Sequence, residues 1–196
     1  TAMAVTGVVS GLANIHLYIT DELQSFKQPY ITAIAPQMKK LGYKTYFWYG
    51  GFSSWERIKD FTLAQGFDNF YSYGDFQKTK GNVWGVDDGE FLQSISEVVN
   101  PEEWSFHVIL TTSNHAPYTV QLKTVGFDDG LIPARYRSNK DLVEVLGHFW
   151  YADKAIGDFI MSNYHKNPAS LFIITGDHAD RTSLDPNPTF YERYSV

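Results

Sequence analysis

Apolar and polar residues follow one another along this chain in blocks that predict strands and helices in turn. Continuous apolar or aromatic runs are typical of the strands of a buried sheet, and they occur at residues 44–49, 69–73, 106–111 and 171–175. Apolar residues at helical spacing predict helices, and they occur over residues 1–12, 32–41, 55–65, 89–99 and 142–164. This alternation predicts an α/β fold with a mainly parallel sheet flanked by helices.

The apolar run at residues 171–175 leads directly into Gly176, Asp177 and His178. We expect a buried central strand here, and ligands of parallel sheets bind beyond the carboxyl ends of the strands. A carboxylate oxygen and an imidazole nitrogen are ligands that a divalent zinc or manganese ion accepts. The pair therefore indicates part of a metal site. The alternative, that Asp177 caps a helix and His178 packs as a polar core residue, stays open at this level.

Polar and aromatic residues also follow two other predicted strands. Tyr49, Trp55 and Arg57 follow the first strand, and His115 follows the third within the run Thr-Ser-Asn-His-Ala-Pro-Tyr. The carboxyl ends of parallel strands share one edge, so we expect these clusters to gather beside the metal-ligand pair. An arginine suits a phosphate or carboxylate through its two-pronged donor geometry, and a histidine can protonate a leaving oxygen.

Each of these residues also has an ordinary structural explanation. Taken singly, Arg57 is explained as a solvated helix charge, Trp55 as a core residue, and His115 as either a loop cap or a functional group. Asp87 and Asp88 are explained as acidic residues at the positive end of a helix dipole. The joint occurrence of the clusters, rather than any single residue, therefore favours a functional site.

Composition narrows the class of protein. The chain has 196 residues, of which 43% are hydrophobic and 19% charged, and we expect one globular domain over residues 1–196. A net charge of −6 without a basic run argues against nucleic acid as a partner. The chain has no cysteine, which excludes thiolate chemistry. It begins at Thr1 without an initiator Met, and we expect a fragment of a larger protein.

The order and spacing of the motifs resemble the lipoteichoic acid synthase-like sulfatase family of the alkaline phosphatase superfamily, whose cousins are the phosphoethanolamine transferases. The motifs that carry the resemblance are Thr1-Ala2, Tyr49-Gly50-Gly51 with Trp55 and Arg57, residues 112–118, and Gly176-Asp177-His178. The resemblance spans nearly the whole chain. It implies an alkaline phosphatase/sulfatase-like fold that is incomplete at the N-terminus, because the family's first strand, with an acidic metal ligand, precedes the nucleophile.

The resemblance also implies roles for individual residues. Asp177 and His178 match adjacent metal ligands of the family, and Thr1 matches a nucleophile that is also a metal ligand in the phosphoethanolamine transferases. The implied cofactor is one divalent ion, which is Mn, Mg or Zn.

On the substrate side, His115 matches a substrate-pocket histidine with a catalytic role. Trp55 and Arg57 match a pair that contacts the phosphate-bearing head. Tyr49 stands at a substrate-binding position where lipoteichoic acid synthases have a histidine.

The implied function is metal-dependent transfer or hydrolysis of a phosphoglycerol- or phosphoethanolamine-type head group through a phospho-threonine intermediate, in bacterial envelope glycan or lipid modification. The implied substrate is a phospholipid or glycan head group at the extracytoplasmic face of a bacterial membrane, with upstream segments as the membrane anchor. Two alternatives are sulfuric ester hydrolysis and a non-catalytic domain that binds a glycan or lipid head. Because an acidic ligand is expected upstream, we expect the 196 residues alone to be weakly active or inactive.

Overall fold

The computed structural model of this chain describes residues 2–12, 18–76, 81–178, 184 and 187–191. Its α-helices are α1 (Ala2–Ser10), α2 (Ile34–Lys40), α3 (Ile58–Ala64), α4 (Asp88–Val98) and α5 (Lys140–Lys166). Its strands are β1 (Lys44–Tyr49), β2 (Asn69–Tyr71), β3 (Gly81–Asn82), β4 (Gly85–Val86) and β5 (Ser105–Leu110). The predicted α/β class is confirmed, and the elements that lie close to their predicted ranges are α1, α2, α4, α5, β1, β2 and β5.

The main sheet is parallel and has β1 at its centre. The strand order is β2-β1-β5, and Phe47 of β1 pairs with Phe70 on one side and with Val108 on the other. β3 and β4 form a separate antiparallel hairpin. The mainly parallel sheet of the sequence prediction is therefore confirmed among the described residues.

Helices cover both faces of β1, which explains why this strand is almost continuously aromatic. On one face, the fully buried ring of Phe47 belongs to a core with Val9 of α1 and Phe61 of α3. On the other face, Trp48 packs in a second core with Phe91 of α4 and further residues of α4 and α5. A strand buried on both faces has no polar side to present, which is the pattern of parallel sheets.

The predicted helix over residues 55–65 is interrupted near its start. A 3₁₀ turn, Trp55–Arg57, precedes α3, and Glu56 and Arg57 have φ angles of 47° and 52°. These values lie in the left-handed region, which a continuous right-handed helix excludes. The kink therefore delays the start of α3 to Ile58.

The prediction of a strand at residues 171–175 is wrong for this structure. Leu171, Ile173 and Ile174 are 84%, 83% and 63% exposed, and the segment has no regular structure. Within the described ranges β5 pairs with β1 alone, so segment 171–175 does not pair with the outer edge of β5. Phe172 is half-buried and contacts the ring of Phe159 on α5 at 6.3 Å. An apolar run forms a buried strand only where neighbouring strands accept its backbone hydrogen bonds.

The β3–β4 hairpin is a feature that the sequence patterns did not predict, because two-residue strands carry no measurable periodicity. Gly85 has a φ of 150°, and a Cβ atom there would lie 2.1 Å from the carbonyl oxygen of Gly50. The amide of Val86 donates to that same oxygen at 2.9 Å. The hairpin therefore sits directly against the chain that leaves β1, and only glycine fits at its closest point.

None of the helices in the described part of the chain is long and apolar enough to cross a membrane.

Candidate active site at the carboxyl edge of the sheet

The carboxyl ends of β1 and β5 lie side by side, as the sequence predicted. Tyr49 pairs with Leu110, and the amide of Gly50 donates to the Leu110 carbonyl at 3.1 Å. The segments that follow, 50–57 and 112–120, therefore leave the sheet at one edge. This adjacency brings the Tyr49–Arg57 cluster and the His115 cluster to the same side of the molecule.

Tyr49 lies beneath the first of these segments. Its side chain is 5% exposed, and burial raises its pKa to about 12. Its ring contacts the ring of Trp55 with centroids 5.5 Å apart, and a Cβ atom on Gly51 would lie 2.5 Å from its hydroxyl oxygen. Tyr49 thus packs against Trp55 and supports its ring. Contact between Tyr49 and substrate stays a prediction.

Arg57 reaches the surface through the strained turn. Its guanidinium lies 3.8 Å from the centroid of the Phe26 ring, and the residue is exposed. A guanidinium stacked on a ring keeps its N–H donors in its own plane, where they can meet an anion. Two consecutive left-handed residues, Glu56 and Arg57, are a local strain of the kind that clusters at functional sites.

The imidazole of His115 has a defined orientation. Its Nδ1 is 2.7 Å from the carbonyl oxygen of Ala116. Because a carbonyl can only accept a hydrogen bond, Nδ1 carries the proton, and Nε2 is the nitrogen that gains or loses a proton. His115 is exposed at the edge of the sheet. Its geometry therefore suits proton exchange with a bound ligand through Nε2.

Trp84 of the hairpin is a site residue that the sequence patterns missed. Its ring centroid is 4.3 Å from that of His115, and its Nε1 donates to the Ala116 carbonyl at 2.6 Å. Asn82 donates through Nδ2 to the carbonyl of Pro117 at 3.1 Å. The signal in the sequence is the spacing of Gly81 and Gly85, which permits a tight hairpin. Through these two hydrogen bonds the hairpin holds the loop that contains His115.

Asp88 begins α4, as its explanation as an acidic residue at a helix N-terminus predicted, but it is also 0% exposed. Its Oδ1 accepts from the amides of Thr112 and Ser113 at 2.9 Å each. Its own amide donates to Ser113 Oγ at 2.8 Å. Burial raises the pKa of its carboxyl, and hydrogen bonding with Thr112 and Ser113 acts in the opposite direction. Asp88 thus ties α4 to the beginning of the His115 loop, whereas Asp87 is half-buried before α4.

Asp177 and His178 lie after the irregular segment 171–176 rather than at the end of a strand. Asp177 Oδ1 and His178 Nε2 are 3.5 Å apart, with their side chains 42% and 47% exposed. Two ligands of a tetrahedral metal with bonds of roughly 2.1 Å are about 3.4 Å apart, so this spacing fits a shared ion. No group of three or more potential His, Asp or Glu ligands occurs in the described ranges. Thr1, the predicted third ligand and nucleophile, lies outside the described residues.

Comparison with known proteins places this arrangement in a family. The Sulfatase family model matches residues 1–192, so the chain belongs to the sulfatase family. The fold is similar to that of the lipoteichoic acid synthase LtaP from Listeria monocytogenes, with a TM-score of 0.68 and 19% identity over 84% of this chain and 40% of that one.

Two further structures share the fold. One is a protein of the alkaline phosphatase superfamily from Vibrio parahaemolyticus, with a TM-score of 0.70 and 21% identity over 98% of this chain and 46% of that one. The other is the phosphoglycerol transferase GacH from Streptococcus pyogenes in complex with sn-glycerol-1-phosphate, with a TM-score of 0.63 and 15% identity over 85% of this chain and 45% of that one. The chain therefore spans less than half the length of these structures, and the predicted alkaline phosphatase/sulfatase-like fold is confirmed.

Proposed function

We propose that this sulfatase-family chain carries much of the active site of an enzyme that transfers or hydrolyses a phosphate-ester head group. The observation that carries the proposal is the shared edge of β1 and β5, where the segments that contain Arg57 and His115 both leave the sheet. An exposed guanidinium offers paired donors to a phosphate, and an oriented imidazole offers a proton. The names of LtaP and GacH, a lipoteichoic acid synthase and a phosphoglycerol transferase, support this class of substrate.

Substrate binding is assigned to the charged and aromatic residues of this edge. Arg57, stacked on Phe26, binds the phosphoryl oxygens through its in-plane N–H groups. Trp55 and Trp84 supply ring faces for the glycerol, ethanolamine or sugar part of the head group, and Tyr49 holds Trp55 in place.

The proposed chemistry has two halves. In the first, the Thr1 alkoxide, whose proton has passed to solvent, attacks phosphorus, the bond from phosphorus to the leaving oxygen breaks, and protonated His115 donates its Nε2 proton to that oxygen. In the second, neutral His115 takes a proton from water or an acceptor alcohol. The resulting oxygen attacks the phosphorus of the phospho-threonine, and the bond from phosphorus to Thr1 breaks and releases the Thr1 alkoxide. Nε2 serves in both halves because Nδ1 is engaged by the Ala116 carbonyl.

Thr1, Asp177 and His178 would hold one divalent ion, which is Mn, Mg or Zn. Such an ion, when bound, stabilises negative charge on the attacking and phosphoryl oxygens. The 3.5 Å spacing of the Asp177 and His178 donors supports the assignment of these two ligands.

The setting is proposed from the same class of substrate. A phospholipid or glycan head group places the enzyme at the extracytoplasmic face of a bacterial membrane, with the membrane contact made by segments outside residues 1–196. The parallel sheet edge, rather than any of the described helices, faces the substrate in this proposal.

The test uses the full protein and two small substrates, bis-p-nitrophenyl phosphate and p-nitrophenyl sulfate, with manganese present. We expect turnover of the phosphodiester, and a loss of about 100-fold or more in kcat for Thr1→Ala and His115→Ala. His165→Ala, on the exposed end of α5, is the matched control and should retain full turnover.

Three other results would redirect the proposal. Turnover of the sulfate ester alone favours sulfuric ester hydrolysis. Binding of glycerol phosphate without turnover of either ester favours a non-catalytic head-group domain. Undiminished turnover by Thr1→Ala would rule out the phospho-threonine route.

A further inference from the structure

The loop that carries His115 is held at both ends by buried side chains, Asp88 and His148. The loop runs from Thr112 to Val120 without regular structure, and His115 lies exposed within it. A loop of this length would leave an exposed histidine free to move by several ångströms unless its ends were fixed. The geometry of proton transfer tolerates much less movement than that.

The first anchor is Asp88. One oxygen of its fully buried carboxylate accepts from two successive loop amides, Thr112 and Ser113, at 2.9 Å each. The Asp88 amide donates in return to Ser113 Oγ at 2.8 Å. This reciprocal set fixes the chain two residues before His115, at the point where it leaves β5.

The second anchor is His148 on α5. Its Nδ1 lies 2.9 Å from the carbonyl of Glu144 and therefore donates, so its Nε2 accepts from the amide of Val120 at 3.1 Å. The side chain is 1% exposed, and its ring contacts that of Tyr118 with centroids 4.7 Å apart. The neutral imidazole therefore fixes the chain five residues after His115.

We propose that Asp88 and His148 are positioning residues, which hold the two ends of the loop so that Nε2 of His115 meets the reacting oxygen. The proposal rests on the proposed function for its catalytic consequence. Both side chains are buried, and both act through the backbone of the loop.

The burial of Asp88 sets it apart from an ordinary acidic residue in the first turn of a helix. A carboxylate without exposure is expensive to bury, and its Oδ2 has no hydrogen-bond partner among the described residues. The N-cap of α4 is Asp87, so capping does not account for Asp88. Its Oδ1 instead receives two loop amides at once, and an asparagine oxygen in the same place would accept them as well.

The kinetic test compares variants that remove an anchor with variants that restore its acceptor. Asp88→Ala and His148→Phe lose the acceptor, whereas Asp88→Asn and His148→Gln keep an oxygen in reach of the same amides. We expect kcat on the phosphodiester to fall about 10- to 100-fold in the first pair, with KM changed less than about threefold. The second pair should recover most of that loss.

The matched control is Tyr151→Phe. The Tyr151 hydroxyl accepts from the Gly89 amide at 3.1 Å, next to Asp88, so this hydrogen bond goes to α4 and not to the loop. Thermal unfolding of every variant separates lost stability from lost positioning. The proposal is overturned if Tyr151→Phe lowers kcat as much as Asp88→Ala, or if kcat follows the folded fraction alone.

A second readout does not depend on turnover. In the full protein labelled with ¹⁵N-histidine, we expect the His115 imidazole to show one well-defined tautomer with the proton on Nδ1. Asp88→Ala should broaden or average that signal, and Asp88→Asn should restore it. If the wild-type protein fails to turn over the diester, the proposed function is wrong while this signal still tests the anchors. An unchanged His115 signal in both Asp88→Ala and His148→Phe overturns the positioning role.

Discussion

The indole of Trp84 lies against the imidazole of His115, with ring centroids 4.3 Å apart and planes inclined at 52°. The same indole donates through Nε1 to the Ala116 carbonyl, which is also the acceptor of the His115 Nδ1 proton. One carbonyl oxygen therefore orients both rings. The β3–β4 hairpin, which is only a few residues long, thus contributes directly to the candidate site.

This relationship predicts how the site responds to changes at Trp84. Trp84→Ala removes both the ring contact and the Nε1 donor, and we expect kcat/KM for the phosphodiester to fall about 10-fold or more. Trp84→Phe keeps a ring but not the donor and should give an intermediate loss. Steady-state kinetics on the full protein checks this, with Trp104→Phe at a 70% exposed position as the control. An equal loss of kcat/KM in Trp84→Ala and in Trp104→Phe would refute a specific role for Trp84.

The left-handed turn at Glu56 predicts a gain in stability on substitution by glycine. A non-glycine residue in this region costs about 1–2 kcal/mol, which glycine avoids. Glycine in turn costs about 0.5–1 kcal/mol, because its unfolded chain has more conformational entropy to lose. We therefore expect Glu56→Gly to raise the free energy of unfolding by about 0.5–1 kcal/mol. Lys59→Gly, on the regular exposed face of α3, should lower it by about 1 kcal/mol. Urea unfolding of both variants measures this difference in sign.

The stacked guanidinium of Arg57 predicts a substrate-binding defect when its planar shape is lost. Arg57→Lys keeps the charge but loses the two-pronged donor geometry, and we expect KM for the phosphodiester to rise about 10-fold with little change in kcat. Arg135 also stacks on a ring, that of Tyr136 at 4.7 Å, and Arg135→Lys is the matched control. A KM that is unchanged in Arg57→Lys would remove Arg57 from phosphate binding.

His107 on β5 predicts a loss of stability in mild acid. Its Nδ1 accepts from Trp48 Nε1 at 2.9 Å, so its Nε2 donates to Ser105 Oγ at 2.8 Å. Burial lowers its pKa from 6.5 to about 4, against the opposing effect of the Glu103 charge. Between these two values the unfolded chain binds more protons than the native one, so the free energy of unfolding falls as the pH falls from 6.5 towards 4.

The size of this effect is at most about 3 kcal/mol. The measurement is the pH dependence of urea unfolding for the wild type and for His107→Asn, which keeps an acceptor near Nδ1 but does not titrate. The variant should lose this part of the slope. His165→Asn, at an exposed position, should keep it. If the free energy of unfolding has the same pH dependence in the wild type and in His107→Asn, the loss of stability in mild acid does not come from His107.

The exposed apolar run at residues 171–174 predicts self-association of the 196-residue chain. Leu171 and Ile173 are each more than 80% exposed, Ile174 is 63% exposed, and exposed apolar surface promotes association. We expect the double variant Leu171→Lys with Ile173→Lys to show a smaller fraction of dimers and larger oligomers in sedimentation velocity. Ile31→Lys, at a separate 91% exposed position, is the control. A monomeric wild-type chain at high concentration would refute this prediction.

Local patterns accounted for most of the secondary structure. β1 occupies the predicted residues, and α1, α2, α4, β2, β5 and α5 differ from their predictions by only a few residues at each end. They were predictable because a helix or a long strand repeats its apolar side over many residues. The hairpin at residues 81–86 was not predictable in this way, because strands of two residues repeat nothing. The kink at Glu56 was also hidden, since nothing in its composition marks a left-handed residue.

The candidate site divides along the same line. The sequence by itself determined which residue types are present for the chemistry, with His115 and Arg57 after predicted strands, and the parallel order of β1 and β5 then placed those two clusters at one edge. Only the tertiary structure decided that Asp88 is a buried anchor, that Trp84 stacks on His115, and that residues 171–175 lie exposed. The reason is physical. A repeating pattern reports which face of an element is apolar, whereas these three facts depend on contacts or missing strand partners far away along the chain.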